Sequence, residues 1–156
     1  MSKELEKARN YLGNKDLLNL PKTAFLASNT ISSETVLRCY DWATEMSHQG
    51  RCVVSGFSSK LEKDVLHFLM KGNQPFIMVL ARQMYKAVPM DLKEALEQNR
   101  LLIISTSQAT RQSRATAMAR NRYVCEMADE ILLVGAAEGN SLFELTEQYK
   151  EKIVPF

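Results

Sequence analysis

The chain has 156 residues, 46% of them hydrophobic and 24% charged, which is the size and make-up of one globular domain with a real core. No internal repeat or low-complexity tract is present, and no apolar run approaches the roughly 20 residues of a membrane helix. The net charge of +2 excludes a strongly basic or acidic protein, and the charged start Met1-Ser2-Lys3-Glu4-Leu5-Glu6-Lys7 lacks the apolar core of a secretory leader, so the expected compartment is the cytoplasm.

Residues 2–20 read as an amphipathic N-terminal helix, with Leu5, Ala8, Tyr11 and Leu12 on one side and Pro21 ending the segment. An alternation of strands and helices follows. Strands are expected at 23–27, 52–54, 76–80, 101–104 and 130–134, with a last short one at 153–154. Helices are expected at 33–49, 59–71, 91–99, 113–127 and 141–150, with Ser32 or Ser33 as a first cap and Gly50 and Gly72 as stops. Short, continuously apolar strands between amphipathic helices predict an α/β fold: a Rossmann-like three-layer sandwich with a mainly parallel sheet, filling one domain over 1–156. In such sheets ligands bind at the carboxyl ends of the strands, near the switch in strand order.

Cys39, Cys52 and Cys125 are odd in number and set in apolar surroundings, which fits buried core residues better than a disulfide framework. His48 and His67 are too few and too far apart for a metal site, and neither a metal nor a cofactor is expected.

Charge is unevenly spread. From Lys71 to Arg122 there are nine Lys/Arg against three acids, and from Tyr123 to Phe156 seven acids against two lysines. The stretch 101–125 carries Arg111, Arg114, Arg120 and Arg122 and no acid, a pattern that favours bidentate contact with phosphate. Asn121 falls among the apolar positions of its helix, so it is expected to be buried as a structural tie, while Arg120 and Arg122 point in different directions. Two strand ends offer close approach to an anion. One is Ser55-Gly56. The other is the small-residue loop through Gly139, Asn140 and Ser141, expected either to present backbone N–H groups at a helix start or to be a plain cap. Gly-x-Gly-x-x-Gly and Walker loops are absent, which disfavours a standard dinucleotide or P-loop site.

Three features occur together in the DprA/Smf family: Val54-Ser55-Gly56 at a strand end, Arg120-Asn121-Arg122 with Asp129 nine residues after Arg120, and Asn140-Ser141-Leu142 at a helix start. Over residues 22–156 the chain resembles the Rossmann-like domain of that family, down to a closing Val154-Pro155. It departs from the family pattern where Gly-Ser-Arg becomes Ser28-Asn29-Thr30, and where Ala-Arg-Gly-Ile-Asp becomes Ser58-Ser59-Lys60-Leu61-Glu62. The resemblance implies single-stranded DNA binding in DNA processing, uptake and recombination, with Ser55, Gly56, Arg120, Asn121, Arg122 and Ser141 in the pocket and a recombinase as partner. A more distant resemblance is to LOG-type enzymes of the same superfamily. These release a base from a nucleoside monophosphate, and Arg120 and Glu144 stand where their arginine and glutamate would fall. The Pro-Gly-Gly of those enzymes is missing, so the reading leans away from catalysis.

The expected function is therefore a phosphate grip on single-stranded DNA through Ser55, Gly56, Arg111, Arg114, Arg120, Asn121, Arg122, Gly139, Asn140 and Ser141. The alternatives are a nucleotide binder or phosphoribohydrolase using Arg120 and Glu144, and a non-catalytic ligand-sensing domain. Exposed sheet edges and the N-terminal helix leave a homodimer open.

Overall fold

A computed structural model describes residues 10–156. Its strands are β1 (Asn10–Gly13), β2 (Lys22–Ala27), β3 (Cys52–Ser55), β4 (Phe76–Leu80), β5 (Leu101–Ser105) and β6 (Glu130–Val134). Its α-helices are α1 (Ser33–Gln49), α2 (Lys60–Lys71), α3 (Met90–Glu97), α4 (Arg114–Met127) and α5 (Phe143–Gln148). The six strands form one sheet in the order β1-β5-β4-β3-β2-β6. Five are parallel, and β1 closes one edge antiparallel to β5.

Alternate residues of each strand feed two cores, as a period of two requires. Phe25, Val53, Phe76, Met78, Leu101, Ile103 and Leu132 face α1, α2 and α3, which contribute Cys39, Ala43, Val65, Leu69 and Leu92. Leu26, Val54, Ile77, Val79, Leu102, Ile104 and Ile131 face α4 and α5, which contribute Tyr123, Val124, Cys125 and Leu145. The three-layer sandwich expected from the sequence is the architecture found.

Helix ends follow their local chemistry. Ser32 accepts from the N–H of Thr35 to start α1, and Gly50 ends it in the left-handed region at φ 67°. Ser59 and Glu62 form a reciprocal capping box at the start of α2. Cys39, Cys52 and Cys125 are buried free thiols, as the composition suggested. Burial pushes the thiols of Cys52 and Cys125 up to about 12, so neither is a reactive thiolate near neutrality.

The N-terminal expectation needs correction. Residues 10–13 are a strand rather than helix, and Lys15–Asn19 is a single 3-10 turn that places Leu17 in the second core. Pairing of Asn10–Gly13 with the exposed edge of β5 outweighs the helical spacing of Tyr11 and Leu12. The proposed helix over 1–9 lies outside the described residues. At the other end, the last strand is a single parallel bridge between Ile153 and Ile131.

The chain builds β2 to β5 in one direction across the sheet, then returns so that β6 lies beside β2. The switch in strand order therefore falls between β2 and β6, and the cleft above it is where a ligand is expected.

Candidate functional site

A cleft of about 390 Å³ opens at this switch point. Its walls come from the loop after β2 (Ser28, Asn29, Thr30), the start of α2 (Ser58, Ser59, Glu62), one face of α4 with the residue before its cap (Gln112, Arg114, Ala117, Arg120, Asn121), and the loop after β6 (Asn140, Ser141, Leu142). Gln112 donates through Nε2 to the Ser58 hydroxyl at 3.0 Å and ties the α4 side to the α2 side.

Arg120 is the central side chain, and it is only 3% exposed. Its Nε donates to Asn121 Oδ1 at 2.9 Å and its Nη1 to the carbonyl of Val79 at 3.3 Å. Nη2 makes no hydrogen bond among the described residues, although a guanidinium carries five N–H donors. The guanidinium lies against Gly56, and a Cβ built there would fall inside it. Gly56 is thus required by a close approach, as its position after β3 suggested, but the approaching group is Arg120. Burial pulls the guanidinium below its usual range, and the nearby Glu62 carboxylate acts in the opposite sense. Burying a charge without full hydrogen bonding costs several kcal/mol in effective terms, roughly, and an anion in the cleft would offset it.

Glu62 is also buried, at 4% exposure. Its Oε2 accepts from the N–H of Ala27 at 2.9 Å. Its Oε1 accepts from the N–H groups of Ser58 at 2.8 Å and Ser59 at 3.2 Å. Pairing of β2 with β3 reaches only Ala24 opposite Val54, so the carboxylate takes up an N–H of β2 beyond that point, where the strand no longer pairs with β3. It also occupies the positive end of α2. Sequence reasoning did not place Glu62 in the site, although the Ser59-x-x-Glu62 spacing was a usable capping-box signal.

The structure brings Arg114, Arg120, Asn121, Asn140 and Ser141 into the cleft wall. Several other candidates lie elsewhere. Ser55 is fully buried and accepts from the N–H of Phe57 at 3.0 Å, which fixes the turn after β3 and withdraws the hydroxyl from any ligand. Arg111 and Gly139 are exposed and outside the cleft wall. Arg122 is exposed and pairs with Glu144 across 3.4 Å on the outer surface. The pair Arg120 and Glu144 is therefore not assembled, since Glu144 faces Arg122 and is absent from the cleft wall.

Two further expectations are revised. Asn121 is half-buried and Arg120 is the deeply buried member, the reverse of the sequence reading. The niche over Gly56 and the Val79 carbonyl accommodates the long side chain, and Asn121 serves as its acceptor. The loop after β6 does not open a long helix. Asn140 Oδ1 accepts from the N–H of Leu142 at 2.9 Å in a local turn, and α5 begins only at Phe143.

The sequence profile of the DNA recombination-mediator protein A family matches residues 8–144. The chain belongs to that family. Among solved structures, DNA processing protein A of Streptococcus pneumoniae is similar at a TM-score of 0.75 and 18% identity, over 95% of this chain and 55% of that one. This chain thus spans about half of that protein. A Helicobacter pylori DNA processing protein A, whose structure was described for its single-stranded DNA binding mode, is similar at a TM-score of 0.71 and 20% identity, over 95% of this chain and 72% of that one. A molybdenum cofactor binding protein of Rippkaea orientalis is more distant, with a TM-score of 0.57 and 13% identity over 86% and 74% of the two chains. At these identities the three likenesses establish the fold. A search of curated proteins gave no match. Among the described residues no helix is long and apolar enough to cross a membrane, and no group of His, Cys, Asp and Glu could hold a metal ion.

Proposed function

We propose that this protein binds single-stranded DNA by its phosphates in the cleft between β2 and β6, as a DNA-processing protein. The observation that carries the reading is Arg120, a guanidinium 3% exposed with Nη2 unbonded at the wall of an open cleft. Such a group is built to complete its hydrogen bonding with an oxyanion, and planar Arg–phosphate pairing is the strongest form of that contact. Arg114 adds a second cation at the rim, with Asn140 and Ser141 as neutral partners. Family membership over residues 8–144 supports the same ligand. The reading takes the whole chain as one domain, acting in the cytoplasm. A recombinase partner and a homodimer belong to it as further proposals.

A small-nucleotide reading rests on one observation, the 390 Å³ cleft, which lies within the range of small-molecule sites. Phosphoribohydrolase chemistry fits poorly. Glu144 pairs with Arg122 outside the cleft, and the three backbone N–H groups on Glu62 give that carboxylate a structural role at the start of α2.

Fluorescence anisotropy of a labelled oligonucleotide tests the proposal. Binding is expected at low salt, with log affinity falling against log salt by about 0.7 per neutralised phosphate. Absence of binding at low salt contradicts it. Release of free base from nucleoside monophosphates would instead establish the enzymatic alternative.

A further inference from the structure

A cavity of about 300 Å³ lies between α2, α3 and the segment after β4, and it shares no lining residue with the cleft at the switch point. Its floor is apolar: Phe57, Met78 and Leu92 are each no more than 4% exposed. Met70 and Tyr85, both half-buried, stand in the wall. Rings and thioethers together favour an aromatic ligand, because rings pair edge-on or offset and sulfur packs well against a ring edge. The volume lies at the lower end of the roughly 300–1,000 Å³ of small-molecule sites, which limits the ligand to one or two rings.

Phe57 adds an independent sign of a site. Its φ of 50° lies in the left-handed region, and the other described non-glycine residue with positive φ is Asn99, a type that tolerates it. For a bulky residue such a backbone persists only where the surroundings over-determine it, and it concentrates at ligand sites. Here the N–H of Phe57 is held by Ser55 Oγ at 3.0 Å, and the ring stands edge-on to Phe76 with centroids 6.2 Å apart. One aromatic wall of the cavity is therefore fixed in place.

A few polar groups converge on this apolar interior. The Tyr85 hydroxyl donates to Met78 Sδ at 3.9 Å, and a thioether is a weak acceptor. Burial raises the pKa of that hydroxyl, so it stays a donor at neutral pH. At the mouth, Lys63 and His67 lie one turn apart on α2 and face Asp91 on α3. All three are exposed, and among the described residues their side chains make no hydrogen bond or ion pair. With one formal cation and one formal anion at the mouth, an uncharged ligand carrying a donor and an acceptor meets both. A net charge on the ligand would be attracted by one and opposed by the other.

We propose that this cavity is a second ligand site, for a small, planar, uncharged aromatic molecule of one or two rings whose acceptor atom takes the Tyr85 hydroxyl.

Three matched probes test this by NMR on protein with isotope-labelled methionine methyl groups. Benzamide has the ring, the donor and the acceptor. Benzoate keeps the ring and adds a net charge, and cyclohexanecarboxamide keeps the amide without the aromatic ring. Benzamide at about 5 mM, the scale expected for a ligand of this size, should shift the Met70 and Met78 methyls. Met46 and Met127, which do not line the cavity, should stay in place. Benzoate and cyclohexanecarboxamide should each bind about fivefold more weakly or worse. Tyr85→Phe should remain folded and weaken benzamide about fivefold. No shift of Met70 and Met78 with benzamide overturns the proposal. Equal or tighter binding of benzoate or cyclohexanecarboxamide overturns the assigned chemistry, and an unchanged benzamide affinity in Tyr85→Phe overturns the hydroxyl contact.

Discussion

Arg100 and Arg120 sit at opposite ends of the same sheet, and both are buried, at 9% and 3% exposure. Burial pulls both guanidinium groups below their usual range. They differ in what surrounds them. At the strand-start end, Arg100 donates to the carbonyls of Leu69 at 3.1 Å, Met70 at 2.9 Å and Gln74 at 3.3 Å, and to Gln98 Oε1 at 2.6 Å. It closes the end of α2 and is bonded through all three nitrogens. At the strand-end rim, Arg120 lines a cleft and has two partners, and its Nη2 makes no hydrogen bond among the described residues. The first arrangement is what a fold needs. The second leaves hydrogen-bonding capacity that the fold does not use, and the proposed phosphate ligand would take up that surplus.

The contrast is open to attack by substitution. Arg100→Ala should have the largest effect on stability, a loss of about 3 kcal/mol, because it removes four hydrogen bonds together and leaves the Met70 and Gln74 carbonyls without their guanidinium donor. Urea denaturation would measure it, and the affinity of the folded protein for DNA should stay unchanged. Arg120→Met should do the opposite. DNA affinity should fall about a hundredfold, while stability stays within about 1 kcal/mol of the parent, since an apolar isostere removes the desolvation of an underbonded charge. A large loss of stability on Arg120→Met would show that the two arginines are alike. Gly56→Ala should fall between them. Its Cβ needs the space of the guanidinium, so Arg120 must move, with about 2 kcal/mol of destabilisation and weaker DNA binding together. Arg114→Ala should weaken binding only a few-fold and lower the salt slope by about 0.7, read from titrations at several salt concentrations. Arg122→Ala should change DNA affinity least, because its exposed pair with Glu144 lies off the cleft, and stability by less than about 1 kcal/mol.

Much of the architecture was written locally. The runs at 76–80 and 130–134 are strands with those same bounds, and 33–49 is a helix with its expected cap and stop. These elements carry their own periodicity and end signals. Asn10–Gly13 does not, because a four-residue edge strand is defined by its partner β5, and the spacing of Leu5, Ala8, Tyr11 and Leu12 reads as a helix until that partner is known. The cleft was legible in position and less so in its members. Strand order places it between β2 and β6, and small polar residues at both strand ends announce it. Which arginine enters it was not legible. Arg120 and Arg122 differ only by helical phase, and the niche that admits Arg120 is made by Gly56 and Val79, distant in sequence. The pairing of Arg122 with Glu144 depends likewise on how α5 lies beside α4.

The most direct test compares the parent, Arg100→Ala and Arg120→Met in oligonucleotide anisotropy at low salt, at a temperature where all three are folded by circular dichroism. The account predicts tight, salt-sensitive binding by the parent and by Arg100→Ala, and loss of about a hundredfold for Arg120→Met alone. Equal affinity of all three proteins would contradict it, because the strand would then be held without the open arginine of the cleft.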